Sequence, residues 1–224
     1  MATARPKAIV SWSSGKDSAY TLHRLRQQTE YEVVGLLTTV TRDFDRVSMH
    51  GVREELVRRQ AEAAGLPLRT VEIPFPCPNE VYEERMRRAV EGLRADGVSH
   101  VAFGDLFLAD VRAYRESRLA GSGLSPLFPL WGSNTLELAR EMIRAGLRTR
   151  VVVIDPRKLP REFAGREFNE ELLRDLPPSV DPCGEFGEFH TFVTAGPMFS
   201  HPLSVSVGPT VERDGFVFTD LRAE

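Results

Sequence analysis

The sequence has few cysteines and no long apolar run, and each shortage excludes a class of protein. Its two cysteines, Cys77 and Cys183, form neither a Cys-x-x-Cys pair nor a disulfide framework, which favours a cytoplasmic protein over a secreted one. No apolar run approaches the roughly 20 residues that a membrane helix needs. The N-terminal residues lack the apolar core of a signal peptide. We therefore expect a cytoplasmic protein that does not enter a membrane.

An excess of charge is also missing, since the formal net charge is −3 at pH 7 over 224 residues. This balance argues against a nucleic-acid protein whose affinity rests on a basic surface. Lys7, Lys16 and Lys158 are the only lysines, and arginine supplies the remaining positive charge. That bias suggests a genome rich in G and C. The length allows one large domain, or a domain with an appendage, around a real core.

The most informative stretch is residues 8–18, which read AIVSWSSGKDS. A short apolar run, small polar residues and an amphipathic continuation predict a buried strand, a tight loop and a helix. Such a loop directs backbone N–H groups and a helix N-terminus at one point, which favours phosphate binding. Gly15 is expected to permit close approach or a positive φ, Lys16 adds a cation and Asp17 can hold a metal ion. The structural alternative is a helix-capping turn built on Ser13 or Ser14.

This loop is not a Walker A motif, because Asp17 follows Lys16 and Val10 stands where the upstream glycine is needed. It resembles instead the Ser-Gly-Gly-Lys-Asp-Ser loop of the PP-loop ATP pyrophosphatases, which split ATP between its α and β phosphates. Ser14 stands where that family often has glycine.

Strands alternating with helices along the chain predict an α/β fold with a parallel sheet and right-handed crossovers. The first predicted strand begins at Ala8, and the other predicted strands cover residues 31–40, 68–73, 100–103 and 150–154. One predicted helix follows the first loop, and the others cover residues 51–64, 81–93, 111–119 and 133–145. Residues 41–50 and 126–131 read as loops. By analogy with PP-loop enzymes we expect the strand order 3-2-1-4-5, with the site beyond the carboxyl ends of strands 1 and 4.

The texture changes after residue 155, so we predict a nucleotide-binding domain at residues 1–155 and a C-terminal extension at residues 156–224. The extension is expected to hold a short helix at residues 169–175, extended segments at residues 187–193 and 205–211, and a β-hairpin around the turn at residues 213–215.

Two further clusters carry chemistry. Gly104-Asp105 ends the fourth predicted strand, where it is either a simple turn or a carboxylate facing a nucleotide or its metal. Arg115 and Arg118, on the following helix, are either solvated or clamp a phosphate or a substrate carboxylate.

The second cluster is the run DPCGEFGEFHTFV at residues 181–193. Its alternation fits the start of a hairpin with exposed carboxylates. Glu185, Glu188 and His190 could instead hold a cation, an amine or a metal together.

Taken together, these motifs resemble the diphthine–ammonia ligase family, which consists of ATP-binding PP-loop proteins, over essentially the whole chain. The matching segments are the loop at residues 13–18, the Gly104-Asp105 corner, residues 114–118, Pro129-Leu130-Trp131 and the family-specific run from Gly184 to Thr191. The resemblance implies an adenine nucleotide α-hydrolase-like fold. It also implies ATP with Mg²⁺, and conversion of a carboxylate to an amide with release of AMP and pyrophosphate.

The expected site follows from the loop, the corner and the resemblance. The predicted nucleotide-binding residues are Ser11, Ser13, Ser14, Gly15, Lys16, Asp17, Ser18, Leu37, Thr38, Thr39 and Gly104. The predicted catalytic residues are Lys16, Asp17, Asp105, Glu185, Glu188 and His190. The predicted substrate-binding residues are Arg115, Arg118, Glu185, Glu188 and His190, and Asp17 is the predicted metal ligand.

Several readings stay open at this point. The carboxylate could be diphthine or a bacterial metabolite, with free ammonia rather than glutamine as the nitrogen donor, because no glutaminase elbow is visible. The alternatives are another PP-loop enzyme that amidates a metabolite or modifies tRNA, and an adenine-nucleotide-binding module without turnover. The missing Cys-x-x-Cys argues against sulfur transfer. The oligomeric state is open, with a homodimer as one option.

Overall fold

The computed structural model of the chain contains two β-sheets with helices packed around them, and it describes residues 4–42, 46–47 and 51–224. Most of the loop predicted at residues 41–50 therefore lies outside the described residues. In the ranges given, no helix is both long enough and apolar enough to cross a membrane.

The first sheet is predominantly parallel. Its strands are β1 (Lys7–Ser11), β2 (Glu32–Thr41), β3 (Arg46–Val47), β4 (Leu68–Ile73), β5 (Val98–Ala102) and β6 (Ser125–Leu127). The parallel strands lie in the order β4-β2-β1-β5-β6, and β3 pairs antiparallel with the end of β2. Counted along the chain among the parallel strands, this is the predicted order 3-2-1-4-5.

The fifth parallel strand is not the one that the sequence predicted. Residues 125–127 occupy that place, although Pro126 made this segment read as a loop. Proline is tolerated here because an edge strand leaves one side unpaired. The apolar segment predicted for this role forms β7 (Arg148–Ile154), which belongs to the second sheet. Its residues 151–154 are all buried, so its pattern does not distinguish the two sheets.

The helices lie in the places that the apolar spacing predicted, with small shifts at their ends. They are α1 (Lys16–Gln28), α2 (Glu54–Ala64), α3 (Asn79–Ala95), α4 (Ala109–Leu119), α5 (Thr135–Arg144) and α6 (Glu170–Asp175). Gly65 ends α2 with a φ of 65°, as expected for a glycine after the last helical residue. The side chain of Asn169 caps α6 by accepting a hydrogen bond from the Leu172 amide at 2.9 Å.

The second sheet is antiparallel. It contains β7, β8 (Phe189–Ala195), β9 (Val205–Arg213) and β10 (Phe216–Ala223) in the order β8-β7-β10-β9. The predicted hairpin is present as β9 and β10, joined through Asp214 and Gly215, which both have positive φ. Because β7 lies in this sheet, the strand predicted to end the first domain packs with the C-terminal strands. The domain division itself stays a prediction.

The parallel sheet is covered on both faces. Val10 of β1 belongs to a large apolar cluster shared with α1, α2 and the second sheet, whereas Ile9 belongs to a second cluster with α3. Burial on both faces explains why β1 reads as a continuous apolar run rather than an alternating one. It also fixes the loop after β1 at the centre of the molecule, between the two sheets.

Candidate active site

A cavity of about 340 Å³ opens beyond the carboxyl ends of β1 and β5, where the strand order reverses. Ligands of open α/β sheets bind at this point. The walls come from the loop after β1, the corner after β5, α4 and the C-terminal run. The predicted site residues that line it are Ser11, Ser13, Gly15, Lys16, Asp17, Ser18, Gly104, Asp105, Arg115, Glu185 and His190.

The loop between β1 and α1 makes its turn at Ser14, which has a φ of 72°. This left-handed conformation favours glycine, which accounts for the glycine that the PP-loop pattern often has here. Gly15 has an extended conformation, with φ −87° and ψ 173°, and it is the N-terminal cap of α1. Of the two options expected for Gly15, the positive φ is therefore wrong, and the positive φ of this loop lies at Ser14 instead.

The hydroxyls of the loop bond to one another. Ser18 Oγ donates to the Gly15 carbonyl at 3.0 Å and accepts from the Ser13 amide at 3.3 Å. The Gly15 amide in turn donates to Ser13 Oγ at 3.4 Å. These contacts hold the loop in the shape from which α1 starts, so its N-terminus points at the cavity.

The buried side-chain amide of Gln60 connects the loop after β1 to the second sheet. Gln60 of α2 is fully buried; it donates to the Ser14 carbonyl at 3.1 Å and to the Val193 carbonyl at 2.7 Å, and accepts from Trp12 Nε1 at 2.9 Å. The Val193 amide also donates to the Ser14 carbonyl, at 3.1 Å. Buried polar groups that are fully bonded in this way fix one arrangement of the backbone.

Thr191 adds a bond from the cavity side. Its Oγ1 accepts from the Lys16 amide at 3.1 Å. β8 is thereby connected to the first residue of α1, and the side chains of the C-terminal run lie opposite the loop.

Lys16 joins the two walls of the cavity. Its side chain is 3% exposed, and Nζ donates to the Asp17 carboxylate at 2.8 Å and to the Cys183 carbonyl. Burial alone lowers the pKa of Lys16, but the nearby acidic groups, Asp17 foremost, outweigh that effect and raise it. Lys16 is therefore a buried ammonium in the cavity wall that is charged at neutral pH.

Gly104 and Asp105 lie against the first turn of α1. A Cβ at Gly104 would come within 2.9 Å of the Asp17 carbonyl carbon, so only glycine fits here without a shift of backbone. Asp105 Oδ2 lies 3.5 Å from Arg115 Nε. Both atoms are buried, and neither makes a hydrogen bond. Burial raises the pKa of Asp105, and the Arg115 guanidinium opposes that shift.

The C-terminal run is folded around Asp181. Its Oδ1 accepts from the amides of Cys183 at 2.9 Å and Glu185 at 3.2 Å, and its own amide donates to Glu188 Oε1 at 3.0 Å. Glu188 is 2% exposed and does not line the cavity. The two glutamates of the motif therefore lie apart, with Glu185 in the cavity and Glu188 behind it.

Glu185 and His190 line the cavity, and the pKa of each side chain is shifted from its usual value. Glu185 Oε1 accepts from the Leu106 amide at 2.8 Å, yet burial outweighs this bond and raises the pKa of Glu185 to about 7. Burial, together with the charge of Lys16, lowers the pKa of His190 to about 4. At neutral pH the Glu185 carboxyl group in the cavity is therefore partly ionised, and the His190 imidazole is neutral.

Several predicted site residues lie elsewhere. Ser14 is fully buried and does not line the cavity, and Arg118 lines a neighbouring cavity. Residues 37–39 run beside Ser11 but do not line the cavity, and the Leu37 carbonyl accepts from the Trp12 amide at 2.7 Å. The placement of an adenine against them stays a prediction.

The acidic groups fit Mg²⁺ only in company with other ligands. Asp17 and Asp105 line the same cavity, and Asp105 Oδ2 is a buried oxygen without a hydrogen bond. Over the described ranges, no group of three or more histidine, cysteine or acidic side chains is arranged to hold a metal. Mg²⁺ commonly takes one or two carboxylates and completes its shell with water and phosphate oxygens, so this pair suits a nucleotide-bound ion.

Sequence reasoning missed the residues that support the site. Gln60, Asp181 and Thr191 were assigned no role, although they determine the shape of both walls. One signal was available for Gln60, because it lies between Val57 and Ala61 on the apolar face of α2. An uncharged polar residue on a buried helical face requires buried partners.

Two family models match the chain. The model described as diphthamide synthase N-terminal domain matches residues 6–125, and the model described as diphthamide synthase C-terminal domain matches residues 134–218. The loop, the corner and α4 lie in the first match and the C-terminal run lies in the second.

Curated proteins named diphthine–ammonia ligase are similar along most of the chain. The protein from Danio rerio is 29% identical over 224 residues, which cover 89% of this chain and 86% of that protein. The proteins from Rattus norvegicus and Homo sapiens are 27% and 26% identical, each over 93% of this chain and 86% of the relative. A solved structure described as a predicted subunit of a tRNA methyltransferase from Methanocaldococcus jannaschii has a TM-score of 0.44 at 16% identity, over 86% of this chain and 98% of that one. Nothing about function follows from so distant a likeness.

Proposed function

Because this chain belongs to the diphthamide synthase family, we propose that it is an ATP-dependent ligase that joins ammonia to a carboxylate. The observation that carries the proposal is the single cavity that combines the loop, Lys16 and Asp17 with the Glu185 carboxyl group. The first part suits a nucleotide and the second suits an amine. A binding module without turnover would need the first part alone.

The nucleotide half is supported by the loop. The N-terminus of α1 and the Lys16 ammonium favour negative charge at the same point, so we place the phosphates of ATP between the loop and Asp105. Asp17 and Asp105 would hold Mg²⁺ there, and the ion would neutralise charge on the phosphates when bound. Lys16 would then exchange part of its contact with Asp17 for a phosphate oxygen.

The first chemical step needs alignment more than acid–base help. The substrate carboxylate is ionised at neutral pH, so its oxygen can attack the α-phosphorus directly while the bond to the leaving pyrophosphate breaks. The products are an acyl-adenylate and pyrophosphate. Arg115, on α4 beside Asp105, would orient the carboxylate with its guanidinium.

The second step uses the shifted carboxyl group. Ammonium must lose a proton before its nitrogen can attack the acyl carbon, and a group with a pKa of about 7 is suited to accept that proton at neutral pH. The C–O bond to AMP then breaks, and the products are the amide and AMP. His190, which lines the same cavity and is neutral at this pH, does not repel the ammonium.

Free ammonia is the proposed nitrogen donor. Glutamine use requires a nucleophilic thiolate, whereas burial raises the pKa of the Cys183 thiol. Its Sγ also donates to the Thr135 carbonyl at 3.3 Å. Both observations favour a structural thiol. The proposed carboxylate is diphthine or a bacterial metabolite. A cytoplasmic location is part of the same proposal.

The test is product analysis with the purified chain. ATP labelled at the α phosphate, a panel of carboxylic acids and ammonium chloride should give labelled AMP, pyrophosphate and an amide. ADP and orthophosphate as the sole products would contradict the mechanism. Glutamine in place of ammonium should give little amide, and efficient use of glutamine that disappears in Cys183→Ala would exclude the ammonia route.

Paired variants separate the two glutamates. Glu185→Gln should abolish amide formation and leave ATP binding largely intact, because it removes the proton acceptor but keeps the shape. Glu188→Gln changes a buried side chain that bonds Asp181. It should therefore lower the melting temperature, while the enzyme that remains folded keeps most of its rate. A greater catalytic loss in Glu188→Gln than in Glu185→Gln would reverse these roles.

A further inference from the structure

A second cavity, of about 280 Å³, lies between α3 and α4 beside the first one. Its walls are mainly apolar and aromatic. They include Tyr82, Met86 and Val90 of α3, and Tyr114 and Leu119 of α4. Of the residues that line it, the proposed ligase steps use Arg115.

Two residues, Phe103 and Arg115, line both cavities and so form the partition between them. The Arg115 guanidinium carbon lies 5.0 Å from the centroid of the Phe103 ring, which supports it from one side. Its Nε faces Asp105 at 3.5 Å without a hydrogen bond. The arginine is therefore held by stacking and charge, and its hydrogen-bonding capacity is not used up by Asp105.

The other charges at the second cavity cancel. Arg118 Nη2 bonds Glu83 Oε1 at 2.5 Å, and its guanidinium lies 5.1 Å from the centroid of the Tyr114 ring. Arg87 of α3 is paired with Glu84 and Glu91. An occupant thus meets apolar and aromatic surface in the cavity and, at the partition, the Arg115 guanidinium, which pairs with Asp105 without a hydrogen bond at Nε.

We propose that the second cavity holds the body of the carboxylic acid that this enzyme activates, and that Arg115 binds its carboxylate at the partition. The ligand class is a monocarboxylic acid, or a carboxylate-bearing side chain, whose body is apolar or aromatic. A second anionic group on that body would lose its hydration among Met86, Val90 and Leu119 without gaining a partner, because Arg87 and Arg118 are already paired. The proposal rests on the ligase function and adds to it the place and character of the substrate.

The geometry also explains why the two cavities adjoin. A carboxylate at Arg115 lies next to Asp105 and Asp17, where the nucleotide phosphates are placed, so the reacting oxygen needs no long transfer. Arg118, predicted as a second carboxylate clamp, lines the same cavity and bonds Glu83.

The experiment uses the full ¹⁵N-labelled chain and follows amide shifts by NMR. The probes are sodium phenylbutyrate, sodium acetate and uncharged phenylbutanol, each titrated without ATP. Phenylbutyrate should shift amides of α3 and α4 and bind about tenfold or more tightly than either other probe, since it alone has both the body and the charge. Equal affinity for phenylbutanol, or shifts confined to other surfaces, would overturn the proposal.

Two variants and a control sharpen the result. Arg115→Gln should weaken phenylbutyrate binding to the level of phenylbutanol. Met86→Trp should fill the cavity and weaken phenylbutyrate while leaving acetate unchanged. The control is Arg112→Gln, one turn earlier on α4, where the guanidinium stacks on Phe128 and Trp131 and lines neither cavity. Unaltered phenylbutyrate binding in Arg115→Gln, or a loss in Arg112→Gln as large, would contradict the assignment.

A parallel titration with ATP separates this inference from the ligase function. ATP shifts at residues 13–18 without a phenylbutyrate site would refute the second cavity alone. Phenylbutyrate binding at α3 and α4 without ATP binding or pyrophosphate release would support the second cavity as a carboxylate site and refute the ligase.

Discussion

The cavity has two walls that the chain holds in different ways. The loop wall, residues 11–18, is supported from behind by Gln60. Its side-chain amide donates to the carbonyl of Ser14, 46 residues away, and to the carbonyl of Val193, 133 residues away. The C-terminal wall, residues 181–191, has local bonds from Asp181 to neighbours within seven residues, in addition to its long-range bonds with Lys16, Leu106 and β7. The loop wall is therefore sensitive to substitutions at Gln60, whereas the turn of the C-terminal wall is sensitive in addition to changes in its own backbone.

The difference matters for function because each wall carries a different half of the proposed chemistry. The phosphate-binding half needs a backbone fixed in one shape, which buried long-range bonds provide. The amine-handling half needs a desolvated carboxyl group, which a compact local fold at the cavity edge provides.

The largest effect is expected where the walls meet, at Lys16. Lys16→Ala removes the ammonium that bridges Asp17 and Cys183, so pyrophosphate release should fall by at least about 100-fold and calorimetry should show weaker ATP binding. Lys7→Ala is the matched control, since Lys7 lies exposed at the opposite end of β1. Equal ATP affinity in both variants would remove Lys16 from the nucleotide site.

The C-terminal wall is expected to break at Gly184. Its φ is 70°, and an added Cβ would lie 2.8 Å from the Phe189 carbonyl oxygen, so Gly184→Ala should cost about 4 kcal/mol of unfolding free energy. Gly187 has a φ of 77° but nothing within 4 Å of an added Cβ. Gly187→Ala should therefore cost only about 1 to 2 kcal/mol. Denaturant unfolding of both variants measures the difference, and equal costs would show that the contact with Phe189 relaxes freely.

The loop wall is expected to weaken at Gln60. Gln60→Leu keeps the volume but leaves the Ser14 carbonyl with one donor fewer and the Trp12 indole N–H unpaired, at a cost of about 3 kcal/mol. ATP affinity should fall although Gln60 does not line the cavity. The variant should lose phosphate binding more than phenylbutyrate binding, and a uniform loss of both would point to general unfolding.

The raised pKa of Glu185, in the C-terminal wall, predicts how the stability of the protein changes with pH. The folded protein keeps the Glu185 proton up to a pH of about 7, while the unfolded chain releases it near 4.5. This group therefore makes the protein less stable as pH rises from 4.5 to 7. The unfolding free energy of Glu185→Gln, relative to the parent protein, should rise over that window, and a flat difference would refute the raised pKa.

His190 should give the opposite sign. The unfolded chain gains the imidazole proton below pH 6.5, but the folded protein gains it only near pH 4. Stability from this group is lost as pH falls through that window. His190→Gln, relative to the parent protein, should therefore become more stable as pH falls from 6.5 to 4. The same trend in both variants would contradict one of the two assignments.

The smallest expected effect is at Ser14. Ser14→Gly relieves the positive φ of 72° and removes a buried hydroxyl without a partner, which outweighs the entropy cost of glycine. The variant should be more stable by about 1 kcal/mol, or about 2 to 4 °C in melting temperature. Ser13→Gly is the contrast, because it loses bonds to Ser18 and Gly15 and should be less stable than the parent protein.

Much of the architecture could be predicted from local pattern. The apolar run before Ser11, the polar loop and the helix that follows are one strand–loop–helix unit, and the strand order and the final hairpin agree with expectation. The family resemblance carried by residues 13–18 and 184–191 is confirmed by the models that match the chain. These features were accessible because periodicity, turn residues and short motifs are properties of neighbouring residues.

Tertiary structure alone decided the rest. Ser125–Leu127 became a sheet strand, and Arg148–Ile154 joined the other sheet, because strand pairing depends on which edge is free and not on composition. Glu185 entered the cavity while Glu188 turned behind it, since each glutamate follows a glycine with positive φ, Gly184 or Gly187, that redirects the backbone. The sequence by itself determined which groups are present and in what order. The partner of a buried polar group such as Gln60 was decided only when β8 packed against the loop, because a hydrogen bond across more than 100 residues leaves no trace in local spacing.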